Sequence, residues 1–275
     1  MHDIKLIRKN PDFFQKKISE RNIKVDLKNL LILDKQNREL ILNKEKLEQE
    51  KKSISQKRDK NLFKKSKEIS LEIDSLNKEQ SNLKNKIDSF IGSLPNLALD
   101  DVPVGKDEDM NKEIKKVGDV PKFDFKPLSH DQIGKNLNQI DFETASKTSG
   151  ARFVFLKGQI ALLERAISNF MLDIHTKEFG YQEISPPLLV NDKTMFGTGQ
   201  LPKFESDQFE IKREDENFKM FLIPTAEVIL TNIVRENFLK EEQLPLRMVA
   251  STACFRKEAG SYGKDTKGMI RQHQF

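Results

Sequence analysis

An α+β protein is predicted, with a long antiparallel helical hairpin, a coiled-coil arm, ahead of a domain built on an antiparallel sheet. Three observations carry this. Apolar residues recur every seven positions through two proline-free stretches between residues 33 and 94, which sets them on one face of each helix. Glycine and proline then punctuate an acidic stretch, at Gly92, Pro95, Pro103, Gly105, Gly118 and Pro121, as a linker does. Beyond it, short strand-like and helix-like runs alternate without the regular βαβ rhythm of a parallel sheet.

The helical series are explicit. Leu33, Leu40, Leu47 and Ile54 form the first, and Leu62, Ile69, Leu76, Leu83 and Phe90 the second. Ile73, Ile87 and Leu94 add a second stripe. Each helix is expected to run about 30 residues and about 45 Å. The polar break Asp59-Lys60-Asn61 between them favours an antiparallel turn. In the first helix Asn37, Lys44 and Lys51 stand where a second apolar stripe belongs, so the arm is expected to be exposed. Residues 35–90 hold fifteen Lys+Arg against ten Asp+Glu, an excess equal to the +5 of the whole chain. A localized basic excess points to a polyanion. A solvated helix face and a dimerising coiled coil are the alternatives.

The linker is expected around 96–115, with domains at 1–104 and 105–275. Within the second, Arg152–Leu156 reads as a strand. Ile160, Leu163, Ile167, Phe170 and Ile174 follow helical spacing, and Gly180 suits a helix C-cap. Tyr181–Val190 reads as an edge segment, because Pro186 and Pro187 cannot donate to a central ladder. Phe218–Ile223 is a further strand. Pro224-Thr225 opens a helix through Val228, Leu230 and Val234.

Composition narrows the functional classes. With 36% hydrophobic and 33% charged residues and a mean hydropathy of −0.62, the 275-residue chain builds a core yet is polar. No apolar run reaches bilayer length, and the charged N-terminus lacks the core of a secretion signal. One cysteine and four scattered histidines exclude a disulfide framework and make a protein-held metal site unexpected. A cytoplasmic location and no membrane partner are expected.

The closing stretch CFRKEAGSYGKDTKGMIRQHQF, Cys254–Phe275, carries Arg256 and Arg271 around Gly260, Gly263 and Gly268. In an extended strand, residues 254, 256 and 258 share one face, as do 271, 273 and 275 on the return strand. If Arg256 sits opposite Arg271, both sets face the same side. Two guanidiniums, a carboxylate and an aromatic ring then meet there. A phosphate held by arginine forks is one reading. A surface hairpin with an Arg–Glu pair is the other. His273 and Cys254 read as packing residues rather than nucleophiles.

The chain resembles the bacterial-type seryl-tRNA synthetases, class II aminoacyl-tRNA synthetases. The resemblance rests on PKFDFKPLSHDQIG from Pro121, DFETASKTSGARFVFLKG from Asp141, GTGQLPKF from Gly197, PTAEV from Pro224 and the closing FRKEAGSYGKDTKGMIRQHQF. Gly180–Leu189 is similar to class II motif 1, and the closing hairpin to motif 2. The helical hairpin is similar to the family's tRNA-binding arm. The second domain is thereby expected to be a partial class II catalytic domain.

The resemblance implies roles residue by residue. Arg256 is the catalytic residue, holding the ATP α-phosphate and the serine carboxylate. Thr225, Ala226 and Glu227 match the serine-binding TAE motif. Without the resemblance, Glu227 reads as a carboxylate favoured by the helix N-terminus. Arg256, Lys257, Glu258, Arg271 and Phe275 form the ATP set. In it Glu258 takes the adenine amine, Phe275 stacks on adenine, and Arg271 binds phosphate oxygens. Lys264 and Lys267 at the loop tip reach the tRNA acceptor end or stay solvated. Gly197-Thr198-Gly199 is not a P-loop, its lysine and spacing being wrong.

The implied activity is that of a serine–tRNA ligase. ATP and Mg²⁺ are expected at the site, L-serine, tRNA(Ser) and tRNA(Sec) as partners, and a homodimer through motif 1. Family members continue past this point, so the catalytic domain is expected to be incomplete, without motif 3, poorly folded and inactive. A non-catalytic tRNA-binding or dimerisation protein is the alternative.

Overall fold

The computed structural model describes residues 2–57, 62–212, 218–258 and 270–275. The chain divides into two compact units, Met1–Gly118 and Asp119–Phe275.

The first unit starts with two short helices, α1 (Ile4–Lys9) and α2 (Pro11–Ser19). Each opens on a side-chain cap: Asp3 accepts from the Lys5 N–H, and Asn10 from the Phe13 N–H with Pro11 at the first helical position. Such caps satisfy N–H groups that have no partner within the helix. Two 31-residue helices follow, α3 (Leu27–Lys57) and α4 (Phe63–Ser93), packed along their length as the long hairpin. The break at Asp59-Lys60-Asn61 lies outside the described residues.

Full apolar burial in this hairpin falls at its base and toward its tip, while Leu40, Leu76 and Leu83 between them are half-buried. At the base, Ile7, Phe14, Ile18, Leu27, Leu30, Ile87 and Ile91 form one core. Toward the tip, Ile54, Ile69 and Ile73 form another, flanked by Leu47 and Leu62. Each fully buried Ile or Leu contributes about 1.5–3 kcal/mol relative to exposure. Between Asp34 and Ile54 no α3 side chain is fully buried, and Asn37, Lys44 and Lys51 are half-buried on the seam. The two lysines cover the seam with their stems while their heads reach water, whereas the Asn37 Oδ1 is buried without a hydrogen-bond partner among the described residues.

Asp34 is the exception among the polar seam residues. It is 3% exposed and accepts from Arg8 Nε at 2.8 Å, Arg8 Nη2 at 2.9 Å and Arg38 Nε at 3.2 Å. This bidentate pairing ties α1 to α3 and satisfies a carboxylate that burial alone would penalise. The segment expected to be a linker bonds back onto this unit. Arg21 Nη1 donates to the Asn96 carbonyl at 2.6 Å, Asn22 Nδ2 to the Gly105 carbonyl at 2.8 Å, and Lys17 pairs with Asp100.

The second unit contains α5 (His130–Asn136), β1 (Ile140–Asp141), α6 (Phe142–Thr148), β2 (Phe155–Leu156), α7 (Gly158–Lys177), β3 (Gln182–Glu183), β4 (Leu189–Asn191), α8 (Asp192–Gly197), β5 (Glu210–Ile211), β6 (Met220–Leu222), α9 (Ala226–Asn232) and β7 (Met248–Val249). Its central antiparallel sheet has the order β4-β6-β5, and β1 pairs antiparallel with β2. The antiparallel sheet is as expected; outside it, the short pair β3–β7 is parallel, Gln182 opposite Met248. Val190, Met195, Phe221, Ile223, Val228 and Cys254 form the core.

Local expectations are revised at three points. Arg152–Leu156 is a strand only at Phe155–Leu156, because Arg152 takes φ 64°. Helix α7 ends at Lys177, and Gly180 at φ 66° turns the chain so that the Tyr181 N–H reaches the His175 carbonyl at 3.0 Å. Helix α9 stops at Asn232, before Val234. Along α7 the stripe Leu163, Ile167 and Phe170 is exposed.

Candidate functional site

Residues 254–258 and 270–275 run antiparallel, as a strand pair must if alternate residues are to share a face. The register differs from the assumed one. Cys254 and Phe275 exchange both backbone hydrogen bonds, at 2.7 and 3.0 Å, and the Arg256 N–H donates to the His273 carbonyl at 2.9 Å. Phe255 lies opposite Gln274. Arg256 therefore faces His273, and Glu258 faces Arg271. The shift from the assumed pairing is two residues. Side chains alternate with a period of two, so an even shift leaves every side chain on its expected face.

The shift decides who meets whom. Arg271 Nη1 pairs with Glu258 Oε2, so the two arginines do not confront each other across one anion. The Arg256 guanidinium carbon lies 5.1 Å from the Phe275 ring centroid, within cation–π range. Arg256 Nε donates to the Pro224 carbonyl at 3.0 Å. These contacts aim Arg256 into a cleft of about 280 Å³ lined by Gln200, Phe204, Asp207, Gln208, Pro224, Arg256 and Glu258.

Strand alternation sends Lys257 elsewhere. Its backbone N–H donates to the Asp207 carbonyl at 2.8 Å, and its ammonium lies 5.7 Å from the Phe209 ring centroid. Thr225 caps α9, its hydroxyl accepting from the Glu227 N–H at 3.4 Å. Ala226 and exposed Glu227 occupy the first turn of that helix. Pro224 alone of this run lines the cleft. Lys264 and Lys267 lie outside the described residues.

Packing explains the remaining two. The His273 ring sits 5.5 Å from Phe153 and 5.8 Å from Phe209, centroid to centroid. Cys254 belongs to the core, and burial pushes its thiol up from the ordinary range against the opposing pull of the Ala226 N–H and Arg256. A raised thiol is a poor nucleophile.

Four lining residues carried no expected role: Gln200, Phe204, Asp207 and Gln208. The GTGQLPKF run contains the first two, and its similarity to the family was their one sequence signal. Gly197 in that run packs rather than cradles phosphate, since a Cβ there would lie 2.6 Å from Asn232 Oδ1. Among the described residues, no three His, Cys, Asp or Glu side chains are grouped to hold a metal ion, and no helix is long and apolar enough to cross a membrane.

Two family profiles match the chain: the seryl-tRNA synthetase N-terminal domain over residues 1–98, and the tRNA synthetase class II core domain (G, H, P, S and T) over residues 208–275. A serine–tRNA ligase of Pelagibacter ubique is 57% identical, covering 100% of this chain and 66% of its own length. One of Pseudothermotoga lettingae is 45% identical, covering 100% of this chain and 67% of its own length. The chain thus spans about two thirds of the length of the curated relatives it matches. The crystal structure of seryl-tRNA synthetase from Pyrococcus horikoshii complexed with ATP superposes with TM-score 0.85 at 34% identity, over 100% of this chain and 68% of that one. The cytoplasmic serine–tRNA ligase of Naegleria fowleri in complex with AMP superposes with TM-score 0.80 at 28% identity, over 99% of this chain and 64% of that one.

Proposed function

Because the chain belongs to the seryl-tRNA synthetase family, we propose that it activates L-serine with ATP to seryl-adenylate and passes the seryl group to tRNA(Ser), with tRNA(Sec) as a second acceptor. The observation that carries this reading is that Arg256 and Glu258 line one cleft, with Phe275 on the same strand face stacked against Arg256. The solved relative complexed with ATP supports a nucleotide there.

The chemistry follows from charge and position. The serine carboxylate attacks the α-phosphorus of ATP, pyrophosphate leaves, and seryl-adenylate forms. The terminal ribose hydroxyl of tRNA then attacks the carbonyl and releases AMP. Arg256 neutralises charge on the α-phosphate and the serine carboxylate together, supplying alignment and electrostatic stabilisation. Phe275, 55% exposed, offers a face for adenine, and Glu258 an acceptor for its amine. Arg271 takes phosphate oxygens. Its exposed pairing with Glu258 costs little to redirect. Lys257, on the opposite strand face, contributes to nucleotide binding only through the long-range field of its charge. Thr225, Ala226 and Glu227 bind serine, whose hydroxyl separates it from alanine.

Mg²⁺ enters with the phosphates of ATP. The described residues form no cage for it, and this ion is usually held by substrate phosphates with one or two carboxylates. Residues 1–104 serve as the tRNA-binding domain and 105–275 as the catalytic domain, in a cytoplasmic homodimer. The exposed apolar stripe of α7 supports a covering partner copy.

Serine-dependent exchange of pyrophosphate into ATP tests the reading. Exchange that requires serine supports it. Salt-sensitive tRNA binding without exchange would instead establish a non-catalytic tRNA-binding protein.

A further inference from the structure

Among the described residues, the strands that present Arg256 share few backbone rungs: the Cys254–Phe275 pair and one bond from Arg256 to His273, with the His273 ring Nδ1 also at 2.9 Å from the Arg256 carbonyl. A ladder this short specifies its register weakly. A slip of two residues would keep every side chain on its face, set Arg256 against Arg271, and separate Arg271 from Glu258. Contacts outside the ladder help choose between these registers: the Arg271–Glu258 pair, and the bonds that anchor each strand to the rest of the fold, on the outgoing strand from the Phe255 N–H to the Ile223 carbonyl and from the Lys257 N–H to the Asp207 carbonyl.

Arg152 contacts both strands at once. Its backbone carbonyl accepts from the His273 N–H at 2.8 Å, and its guanidinium Nη1 donates to the Glu258 carbonyl at 3.2 Å. One bond holds the return strand and the other the outgoing strand. A two-residue slip displaces one strand past the other by roughly 7 Å, so both bonds cannot persist through it.

The backbone supports the same assignment. Arg152 and Glu258 adopt φ 64° and 49°, the left-handed region that residues with a β-carbon disfavour. Two such residues, 106 positions apart, are joined by a hydrogen bond beside the cleft that Glu258 lines. Strained backbone of this kind persists where its surroundings over-determine it, and it gathers at functional sites.

We propose that Arg152 is a positioning residue for the nucleotide site: bonded to both strands of the terminal hairpin, it sets the register that aims Arg256 and Glu258 into the cleft. The nucleotide part rests on the function proposed above; the register part does not. The experiment joins hydrogen–deuterium exchange of peptides 253–258 and 270–275 with ATP affinity, on the 275-residue chain. Arg152→Gly keeps the carbonyl and relieves the φ, but removes the guanidinium. It should speed exchange in both peptides and weaken ATP about tenfold, the loss of one hydrogen bond from a charged donor. Arg152→Lys, whose ammonium can reach the same carbonyl, should fall between; it carries the test if the glycine variant does not fold. Wild-type exchange and affinity in the variant that folds would overturn the proposal. Faster exchange in a chain whose parent binds no ATP would support the register role and overturn the nucleotide reading.

Discussion

The Arg256 guanidinium stacks over the Phe275 ring, 5.1 Å from its centroid, across a strand pair in which Cys254 and Phe275 exchange both backbone bonds. The ring therefore helps hold the arginine toward the cleft. Arg256→Ala should lower serine-dependent pyrophosphate exchange roughly a hundredfold or more, the scale of losing one transition-state donor. Arg256→Lys should not restore it, because an ammonium lacks the planar fork. Near-normal exchange in either variant would remove Arg256 from its role.

Phe275→Leu keeps an apolar side chain and loses the ring's negative face. A cation–π contact at an exposed site is worth about 0.5–1 kcal/mol, and stacking with a base about 1–3 kcal/mol. ATP affinity should fall by about tenfold, read by equilibrium dialysis. Equal affinity in the two proteins would show that the ring contacts no base.

The arm's tip has its own apolar cluster of Ile54, Ile69 and Ile73, separate from the base. Removing residues 47–73 should therefore leave the base core intact. It should weaken tRNA binding and leave ATP affinity unchanged. Binding by the intact chain should also fall as salt rises, through counterion release. Unchanged tRNA affinity after the deletion would refute the arm's role.

Asp34 is where α1 and α3 are joined, through Arg8 and Arg38. Asp34→Ala removes three charge-assisted hydrogen bonds and should cost about 2 kcal/mol, measured by urea unfolding of the chain. Asp34→Asn, which keeps the shape and an acceptor oxygen, should cost less. A neutral alanine substitution would mean the pair holds nothing.

Asp141 predicts a pH dependence. The Lys157 ammonium, the Thr144 N–H and the Thr144 hydroxyl, in that order, hold its carboxyl well below the usual carboxylate range. The folded state thus favours the ionised form. Its contribution is fully present above the ordinary carboxylate value, about 4, and is lost progressively as pH falls below it. Asp141→Asn, which still caps α6, should flatten that part of a melting-temperature profile taken from pH 6 down to pH 2.5. Profiles of equal slope would show that Asp141 is not the group responsible.

The helical hairpin was legible because a helix is a local object. The residues that share its face are three, four or seven apart, so the spacing of Leu33, Leu40, Leu47 and Ile54 was sufficient. Asn37, Lys44 and Lys51 could be placed on the seam by the same count. The faces of the terminal hairpin were also legible, since alternation has period two and survives an even change of register. What the sequence could not decide was every pairing between distant segments. Arg256 opposite His273, Glu258 opposite Arg271, and Gln182 beside Met248 in a parallel pair depend on contacts between residues far apart in the chain. The walls of the cleft, Gln200, Phe204, Asp207 and Gln208, come from segments with no periodic signature. The apolar neighbours of Arg152 suggest strand, yet it takes a left-handed φ and bonds to two strands more than a hundred residues away. Local periodicity determines which face a side chain takes; long-range hydrogen bonding and packing determine what it meets there, because those energies exist only once the chain has closed on itself.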